Sequence, residues 1–378
     1  MDKIGIIAEF NPFHNGHIYL IDKVKSMYPN SFITVITSTC FTQRGEISYL
    51  TKWDKARISL NHQVDLVIEL PFFFATQGSD IFSTYAVSVL EYMNMDYLVF
   101  GSECGDIEVL KNLASTSLYN EEYDKLVKGY LDLGNSYPSS TSKALYDLTN
   151  IKLINSNDIL GVSYIKTILL NDYNIKPITI KRTNNYLSKN VTGSISSATS
   201  IREQYINNKD YKKYIPKDTY KYMNINKNYL DNYFKLLKYK LITEINNLDK
   251  YLDVSEGIDK KIKKVILSVN NYNELIDKLK SKRYTYNKLN RMFLHILFNI
   301  TKEMDFNINY IRILGFNDKG RKYVKLMKEE ITIPIITNYK DIDDEVLYLE
   351  KITTIMYLNI INRNDLIKEE LMSIPINH

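Results

Sequence analysis

The first residues of the chain place a strand, a sharp turn and a helix start in direct succession. Residues 4–8, Ile-Gly-Ile-Ile-Ala, form a short apolar run that is typical of a buried parallel strand. The Asn11-Pro12 pair then interrupts regular structure, and apolar residues recur at helical spacing from Ile18, which predicts a helix from about Asn15. Unpaired backbone N–H groups and the helix dipole would point at the turn, so this arrangement predicts an anion-binding site.

Two histidines flank a glycine in this turn, in the order His14-Asn15-Gly16-His17. A glycine at that place would let a phosphate approach the backbone closely. The alternatives are a His-x-x-His metal pair or two surface histidines. The cysteines Cys40 and Cys104 are isolated, and the sequence contains no His-x-x-x-His pattern, so a metal site has little support. We therefore prefer the phosphate interpretation.

Residues 9–17 read Glu-Phe-Asn-Pro-Phe-His-Asn-Gly-His. The segment resembles the His-x-Gly-His motif of the nucleotidylyltransferase superfamily and, over its full length, the bacterial tRNA(Met) cytidine acetate ligase family. In the superfamily the two histidines contact a triphosphate and stabilise the charge that develops when an α-phosphate is attacked. The resemblance therefore implies that His14 and His17 are the catalytic residues.

The loop that follows the second predicted strand also resembles this family. Residues 38–46 read Ser-Thr-Cys-Phe-Thr-Gln-Arg-Gly-Glu, against the family's Ser-Gly-Asn-Phe-x-Gln-Arg-Gly-Glu, and Ile47 stands where proline is common. Arg44 and Lys52 are expected either to face phosphates or a substrate carboxylate, or to lie on the surface beside a turn. Residues 100–103, Phe-Gly-Ser-Glu, match a segment in which the family places ATP against the glycine, here Gly101.

Two later segments extend the resemblance on the nucleotide side. Residues 156–161 are similar to the family's Pro-Asn-Asn-x-Leu-Gly, although Ser156 and Asp158 depart from it. Asn157 is implied as a nucleotide contact, and a helix N-cap is its structural alternative. Arg182 ends the last predicted strand and matches an ATP-binding arginine of the family, where it would grip a phosphate bidentately.

A hydroxyl-rich helix start, residues 197–202 (Ser-Ala-Thr-Ser-Ile-Arg), resembles the superfamily's Ser-Ser-Thr-x-Ile-Arg motif. Hydroxyls and unpaired N–H groups can hold β- and γ-phosphates there, and a plain Ser/Thr cap is the alternative. The resemblance thus implies an ATP site built from the first motif and from later residues. Its members are Ile7, Ala8, Glu9, Phe10, Asn11, Pro12, Phe13, His14, Asn15, Gly16, His17, Ile18, Tyr19, Leu20, Gly101, Asn157, Arg182, Ser197, Thr199 and Arg202.

The order of elements predicts an α/β architecture with two domains. Strand-like runs alternate with helical stretches up to Arg182, which predicts a parallel, Rossmann-like sheet with its site beyond the strand ends. After residue 205 the strand signals fade and Lys-, Tyr- and Asn-rich helical segments follow. We therefore expect an ATP-binding domain over 1–205 and a mostly helical domain over 206–378. His295 lies in an apolar helical stretch and is expected to be structural.

The net charge of +5 is distributed unevenly along the chain. Residues 1–175 carry 13 basic and 20 acidic residues (−7), residues 176–290 carry 24 and 11 (+13), and residues 291–378 carry 12 and 13 (−1). A concentrated positive block suits a polyanion, although a solvated helical face is the alternative. The candidate tRNA-binding residues in this block are Lys212, Lys213, Lys263 and Lys264.

The sequence shows no apolar run that would span a bilayer, and its start carries the motif instead of a signal peptide. Two isolated cysteines favour the cytoplasm. The resemblance implies that ATP and acetate form acetyl-adenylate, and that the acetyl group passes to N4 of the wobble cytidine of elongator tRNA(Met). Mg²⁺ is expected to accompany ATP, although no residue identifies itself as a ligand.

Two other functions fit part of the sequence. A small-molecule adenylyltransferase of the same fold explains the two motifs but leaves the basic helical half without a role. A non-catalytic RNA-binding protein with a decayed nucleotide site explains the basic half. The intact His14, Gly16, His17 and Arg202 argue against decay.

Overall fold

The computed structural model describes residues 1–182, 195–372 and 374–378. Its strands are β1 Lys3–Ile7, β2 Phe32–Ser38, β3 Leu66–Leu70, β4 Tyr97–Ser102, β5 Lys176–Lys181, β6 Ile311–Phe316, β7 Ile335–Ile336 and β8 Ile376–Asn377. Helices of the amino-terminal half are α1 Asn15–Met27, α2 Lys52–Asn61, α3 Phe72–Ala75, α4 Ser79–Tyr92, α5 Ile107–Tyr119, α6 Tyr123–Asp132, α7 Tyr137–Thr149, α8 Ser156–Leu170 and α9 Ala198–Ile206.

The carboxyl-terminal half is mostly helical. Its α-helices are α10 Lys217–Tyr222, α11 Tyr229–Thr243, α12 Ile258–Val265, α13 Tyr272–Leu279, α14 Tyr286–Leu297, α15 Asp318–Glu330, α16 Glu345–Ile360 and α17 Ile367–Met372. Short 3₁₀ turns occur at Lys212–Tyr214, Leu248–Lys250, Ile266–Ser268 and Asn364–Leu366. No helix within the described ranges is long and apolar enough to cross a membrane.

The parallel sheet predicted from the sequence is confirmed. Strands β5, β4, β1, β2 and β3 lie side by side in that order and run in the same direction. Ile6 on β1 pairs with Val35 on β2 and with Val99 on β4. The chain order therefore reverses around β1, and ligands bind at such switch points, beyond the carboxyl ends of the strands. This rule places the site where β1 and β4 end.

Burial explains why these strands read as nearly continuous apolar runs. Every residue of β2 and of β3 is buried. Helices pack on both faces of a parallel sheet, so both sets of alternating side chains enter apolar surroundings. On one side, α8 packs against α4 and α5. His295, on α14, is fully buried, and its Nε2 lies 2.9 Å from the carbonyl oxygen of Thr76, which fits the structural role expected of it.

The sheet continues into the carboxyl-terminal half, which the sequence analysis did not foresee. Strand β6 lies antiparallel beside β3, with Gly315 opposite Val67, and β7 and β8 pair with β6. Strand β6 stands far along the chain from β3, and local patterns do not encode such a pairing. The boundary at residue 205 stays a prediction, but the sheet itself is built from both halves.

A buried ionic group joins the two halves of the chain beside the β3–β6 pairing. It consists of Lys52, Glu69, Arg312, Glu350 and Glu370, and is called here the Lys52 cluster. The Lys52 ammonium lies 2.7 Å from Glu370, 3.3 Å from Glu69 and 3.4 Å from Glu350. Arg312 pairs with Glu69 at 3.0 Å. All five side chains are at most 4% exposed.

The position of Lys52 corrects both expectations that the sequence raised. It neither faces a phosphate nor lies on the surface, because it is the first residue of α2 and points into the core. Burial alone would lower the pKa of Lys52, and Arg312 also lowers it, but Glu370, Tyr339 and Glu69 raise it well above its usual value. Lys52 is therefore a charged residue with a structural role, since it pairs with carboxylates from both halves of the chain.

Candidate active site

Helix α1 begins inside the motif, and the two histidines form its cap. His14 occupies the N-cap position, and its Nδ1 accepts a hydrogen bond from the backbone N–H of Gly16 at 3.0 Å. The backbone N–H of His14 in turn donates to Nδ1 of His17 at 3.1 Å. This reciprocal pair is a capping box built from imidazoles. The helix start at Asn15 agrees with the sequence prediction.

Both imidazoles are neutral in this environment. Burial, followed by the positive charges of Arg182 and Arg202, lowers the pKa of His14 to about 3. Burial and the neighbouring His14 lower the pKa of His17 well below its usual value. Because each Nδ1 accepts a hydrogen bond, each neutral ring carries its proton on Nε2. The stacked rings, 3.8 Å apart, thus offer two N–H donors beside a helix N-terminus.

Gly16 is required by the histidine as much as by any ligand. A Cβ at this position would lie 2.8 Å from Cε1 and 2.9 Å from Nδ1 of His14. It would also lie 3.6 Å from the side chain of Ile195, which precedes α9. The start of α9 therefore lies over the start of α1, and two helix N-termini meet at the motif.

Arg202 ties the second motif to the first. One guanidinium nitrogen donates to the carbonyl oxygen of Asn11 at 2.7 Å, and another pairs with the Glu46 carboxylate at 2.6 Å. Ser197 is the N-cap of α9 and its hydroxyl accepts from the N–H of Ser200 at 3.2 Å, as the capping alternative proposed. Thr199 accepts from Arg202 at 3.5 Å. The predicted phosphate residues of α9 thus already form a network.

The end of β4 brings together the other predicted nucleotide residues. The side-chain amide of Asn157 donates to Oε1 of Glu103 at 2.6 Å, and Nε of Arg182 lies 3.7 Å from the same oxygen. A Cβ on Gly101 would lie 3.3 Å from Cγ of Arg182. Asn155, not Asn157, occupies the cap position of α8, so the capping alternative for Asn157 was wrong.

Some departures from the family pattern have a local reason. Asp158 accepts from the backbone N–H groups of Glu103 and Cys104, at 2.9 and 3.1 Å, and so shapes the turn after β4. A carboxylate suits two N–H donors. Arg44 donates to the hydroxyl of Ser156 at 3.1 Å, which links the loop after β2 to the start of α8.

Several residues of the segment 7–20 also hold the site together, and their predicted contact with ATP stays a prediction. Phe10 and Phe13 are buried, and both rings pack against His17, with centroids 4.8 and 5.4 Å away. Asn11 uses its side-chain amide on the loop after β2: it donates to the carbonyl oxygen of Ile47 and accepts from the N–H of Tyr49. These side chains hold the histidines and the loop in place.

Sequence reasoning missed two carboxylates of this site. Glu46 pairs with Arg202, and Glu103 with Arg182. Glu9 is half-buried behind the motif, where its carboxylate accepts from the N–H of Gln43 and burial raises its pKa. Glu9 is one of the predicted ATP-site residues, whereas Glu46 and Glu103 are not, although both stand in segments that resemble the family. Within the described residues, no group of three or more His, Cys, Asp or Glu side chains could hold a metal ion.

The candidate tRNA-binding lysines fall at two places. Lys212 and Lys213 form the exposed 3₁₀ turn Lys212–Tyr214, and the side chain of Asn15 donates to the carbonyl oxygen of Lys213 at 3.0 Å. This pair therefore borders the motif. Lys263 and Lys264 lie on α12, which packs against α13. The structure connects only the first pair directly to the site among the residues described.

Comparison with protein families gives one match over nearly the whole chain. The model of the HIGH Nucleotidyl Transferase family covers residues 1–371. A tRNA(Met) cytidine acetate ligase of Anoxybacillus flavithermus is 35% identical over 382 residues, which is 96% of this chain and 95% of the relative. A relative of the same name from Clostridium novyi is 35% identical over 402 residues, covering 100% of this chain and 99% of its own.

Solved structures agree with these relatives. The chain superposes on Thermotoga maritima TmcAL in its apo form with a TM-score of 0.90 and 29% identity, covering 100% of this chain and 99% of the other. The same enzyme bound to alpha-thio ATP gives a TM-score of 0.89 with the same identity and coverage. The fold expected from the sequence is thereby confirmed over the full length of the chain.

Proposed function

The chain belongs to the tRNA(Met) cytidine acetate ligases of the HIGH nucleotidyltransferase family, and we propose that it uses ATP to acetylate the wobble cytidine of elongator tRNA(Met) on N4. The observation that carries this proposal is the meeting of His14, His17, Arg182 and Arg202 where β1 and β4 end. Two N–H donors, two cations and two helix N-termini suit a triphosphate.

The first step joins acetate to AMP. An acetate oxygen attacks the α-phosphorus, the bond from that phosphorus to the bridging oxygen breaks, and pyrophosphate leaves with the electron pair. Negative charge grows on the α-phosphate oxygens, and the Nε2–H groups of His14 and His17 are aimed to stabilise it because their Nδ1 atoms are fixed by the cap. Arg182 and Arg202 hold the remaining phosphates.

Mg²⁺ would enter this site with the nucleotide. Divalent magnesium keeps most of its ligands as water and phosphate oxygens, and needs few from the protein. Among the described residues no group of three or more His, Cys, Asp or Glu side chains could hold the ion, so most of its ligands would be phosphate oxygens and water. We assign no step to the ion.

The second step moves the acetyl group to RNA. N4 of the cytidine attacks the acetyl carbonyl carbon, the bond from that carbon to the phosphate oxygen breaks, AMP leaves with the electron pair, and N4 loses one proton. The amine is a weak nucleophile because its lone pair is delocalised into the ring, and AMP is a far better leaving group than the oxide of acetate. Activation by ATP is therefore what makes the transfer feasible.

We infer that the enzyme works in the cytoplasm, where tRNA is modified. Its two cysteines are unpaired, Cys40 in the core and Cys104 on the surface, as is usual in a reducing compartment. The net charge of +13 over residues 176–290 favours a polyanionic second substrate over a small molecule.

Reversing the charge of Lys212 and Lys213 together is expected to weaken tRNA binding. Each neutralised phosphate contact contributes to the salt dependence of affinity, so the double variant Lys212→Glu/Lys213→Glu should bind tRNA less tightly and with a shallower salt slope, by about 1 to 2. Filter binding between low and moderate salt measures both quantities, and ATP binding should be unchanged. The pair Lys263→Glu/Lys264→Glu tests the other predicted position.

Two outcomes would contradict this assignment of the basic block. If both double variants bind tRNA like the parent protein at every salt concentration, residues 176–290 are a solvated surface. If only the second pair weakens binding, the RNA lies along α12, and the turn beside the motif has no part in holding it.

A mass balance with two labels tests the proposed function. The protein is incubated with ATP, acetate, Mg²⁺ and elongator tRNA(Met), with label in acetate in one arm and in the adenine ring in the other. We expect one acetylated cytidine per tRNA, equal amounts of AMP and pyrophosphate, and no adenine label in RNA. Acetyl-coenzyme A should not replace ATP plus acetate.

The same experiment separates the alternatives. A small-molecule adenylyltransferase would retain the adenine label in a low-molecular-weight product and leave RNA unlabelled. A non-catalytic RNA-binding protein would turn over no ATP while still binding tRNA. Either result would overturn the ligase proposal.

A further inference from the structure

A small cavity lined by aromatic hydroxyls opens beside the phosphate residues. It encloses about 80 Å³ between the loop after β2 and helices α11, α13 and α14. Its aromatic lining, called here the tyrosine pocket, consists of Tyr49, Tyr229, Tyr233, Tyr272 and Tyr286. None of the sequence motifs pointed to it, because its tyrosines come from distant segments of a tyrosine-rich chain.

The tyrosine pocket shares two residues with the candidate active site. Arg202 and Glu46, which pair at 2.6 Å, both line it. Arg202 also contacts the carbonyl oxygen of Asn11, three residues before His14. The Asn11 amide fixes the wall of the pocket by bonding the backbone of Ile47 and Tyr49. Arg202 and Asn11 therefore connect the rim of the cavity to the loop that carries His14.

Some polar groups in the pocket form hydrogen bonds with one another, and one of them has no partner. Tyr272 donates to Oδ1 of Asn290 at 2.6 Å, and the hydroxyls of Tyr49 and Tyr229 lie 3.2 Å apart. The hydroxyl of Tyr233 has no hydrogen-bond partner among the described residues, although the residue is only 4% exposed. A buried hydroxyl without a partner is costly unless a ligand supplies one.

The size of the cavity suits a single planar ring. The cytosine base, a single ring with eight non-hydrogen atoms, needs less room than a two-ring purine and is the better match to a cavity of about 80 Å³. Enzymes that modify a base inside RNA take it out of the stack, hold it between aromatic side chains and read its Watson–Crick edge.

We propose that the tyrosine pocket receives the cytosine base that is acetylated, turned out of the anticodon loop. This inference rests on the proposed function and assigns its second substrate a site. Glu46 can accept from N4–H, as carboxylates do in cytosine recognition, and the Tyr233 hydroxyl can donate to a ring acceptor. With N4 at the Glu46 and Arg202 rim, the amine faces the phosphate-binding loop, where the acetyl-adenylate forms.

Acetate is the competing occupant, and the lining argues against it. Acetate has four heavy atoms and would need one cation and a small apolar wall. Five aromatic residues and an unused hydroxyl far exceed that need, whereas aromatic rings are the surfaces on which proteins stack unpaired bases. The two occupants predict different kinetic effects.

Two variants test the site. Tyr286→Ala removes a half-exposed ring from the mouth, and Tyr233→Phe removes only the unpartnered hydroxyl. We expect Tyr286→Ala to lower kcat/KM for tRNA about tenfold or more, the usual effect of losing one stacking ring. Exchange of pyrophosphate into ATP with acetate and no RNA should keep the parent KM for acetate in both variants. Tyr239→Phe, on α11 but 71% exposed, is the matched control.

A second readout does not depend on catalysis. An anticodon stem-loop with the fluorescent base pyrrolo-cytosine at the wobble position should be quenched by the parent protein, and less so by Tyr286→Ala. A raised KM for acetate in Tyr233→Phe, or a fluorescence change that is equal in all variants, would overturn the proposal. If the parent protein acetylates no RNA, the proposed function fails by itself, and the quenching still decides whether the pocket takes a base.

Discussion

Replacing His17 with glutamine is expected to slow acetate-dependent release of pyrophosphate about 100-fold, the usual cost of losing one electrostatic donor to a transition state. Glutamine at this position can still accept the N–H of His14, as in the common capping box, so the start of α1 should persist. What is lost is the Nε2–H on the far side of the imidazole ring, because the amide N–H₂ of glutamine is bonded to the same carbon as the accepting oxygen and does not occupy that position. His14→Asn follows the same logic, because asparagine is a good N-cap whose short amide does not place a donor where Nε2–H stood.

These two variants separate chemistry from folding. His14→Ala removes both the donor and the cap. Its rate of pyrophosphate release should therefore fall as far as that of His14→Asn, and its free energy of unfolding should fall by about 1 kcal/mol. Rates come from pyrophosphate release at saturating ATP and acetate, and stability from urea unfolding. His62→Gln is the matched control, since that ring stacks on Phe13 but is paired with Asp218. Parent rates in both His17→Gln and His14→Asn would refute the phosphate role of the motif.

The second large effect is expected on stability. Lys52→Met should reduce the free energy of unfolding by about 3–5 kcal/mol, the range found when one partner of a buried ion pair is removed. Glu370 and Glu350 would then lie in the core with Arg312 as the remaining cation of the cluster. The carboxylate of Glu370 also accepts from the indole N–H of Trp53 at 2.5 Å, so the loss should loosen α17 as well.

A double-mutant cycle identifies the cause. Adding Glu370→Gln to Lys52→Met removes one uncompensated carboxylate, so the double variant should be more stable than the sum of the two single losses predicts. Lys235→Met, an exposed lysine on α11, should change stability by less than about 0.5 kcal/mol. Urea unfolding followed by Trp53 fluorescence measures the four proteins of the cycle and the Lys235→Met control. A loss below about 1 kcal/mol in Lys52→Met would show that water enters the cluster.

The amino-terminal fold was predictable because its signals are local. Strands β1 to β4 are apolar runs followed by helical stretches, so the order of elements indicated a parallel sheet with its site beyond the strand ends. The candidate phosphate residues came from the resemblance of the motifs to a known family. The tyrosine pocket and the Lys52 cluster had no such signal. Lys52 and Glu350 are 298 residues apart, and nothing near either one shows that both are buried.

The roles of single residues were harder to predict than their location. Asn11 is expected to contact ATP, and its side-chain amide also bonds the backbone of the loop at Ile47 and Tyr49. Gly16 was expected to admit a phosphate, and it also leaves room for the ring of His14. In both cases the sequence indicated that the residue matters to the site. The groups that it contacts are known only from the folded structure.

The antiparallel pairing of β6 with β3 has a consequence for synthesis of the protein on the ribosome. Leu66–Leu70 emerges early, but the strand that covers its edge follows roughly 250 residues later, a delay of about 12–50 s at ordinary elongation rates. During that time a nascent chain would expose an apolar strand edge, which invites pairing with other chains. Glu69 points inward from this edge and meets Arg312 only when β6 arrives. The Glu69 carboxylate, which later pairs with Arg312, thus disfavours pairing of the β3 edge with other chains while the ribosome is still translating.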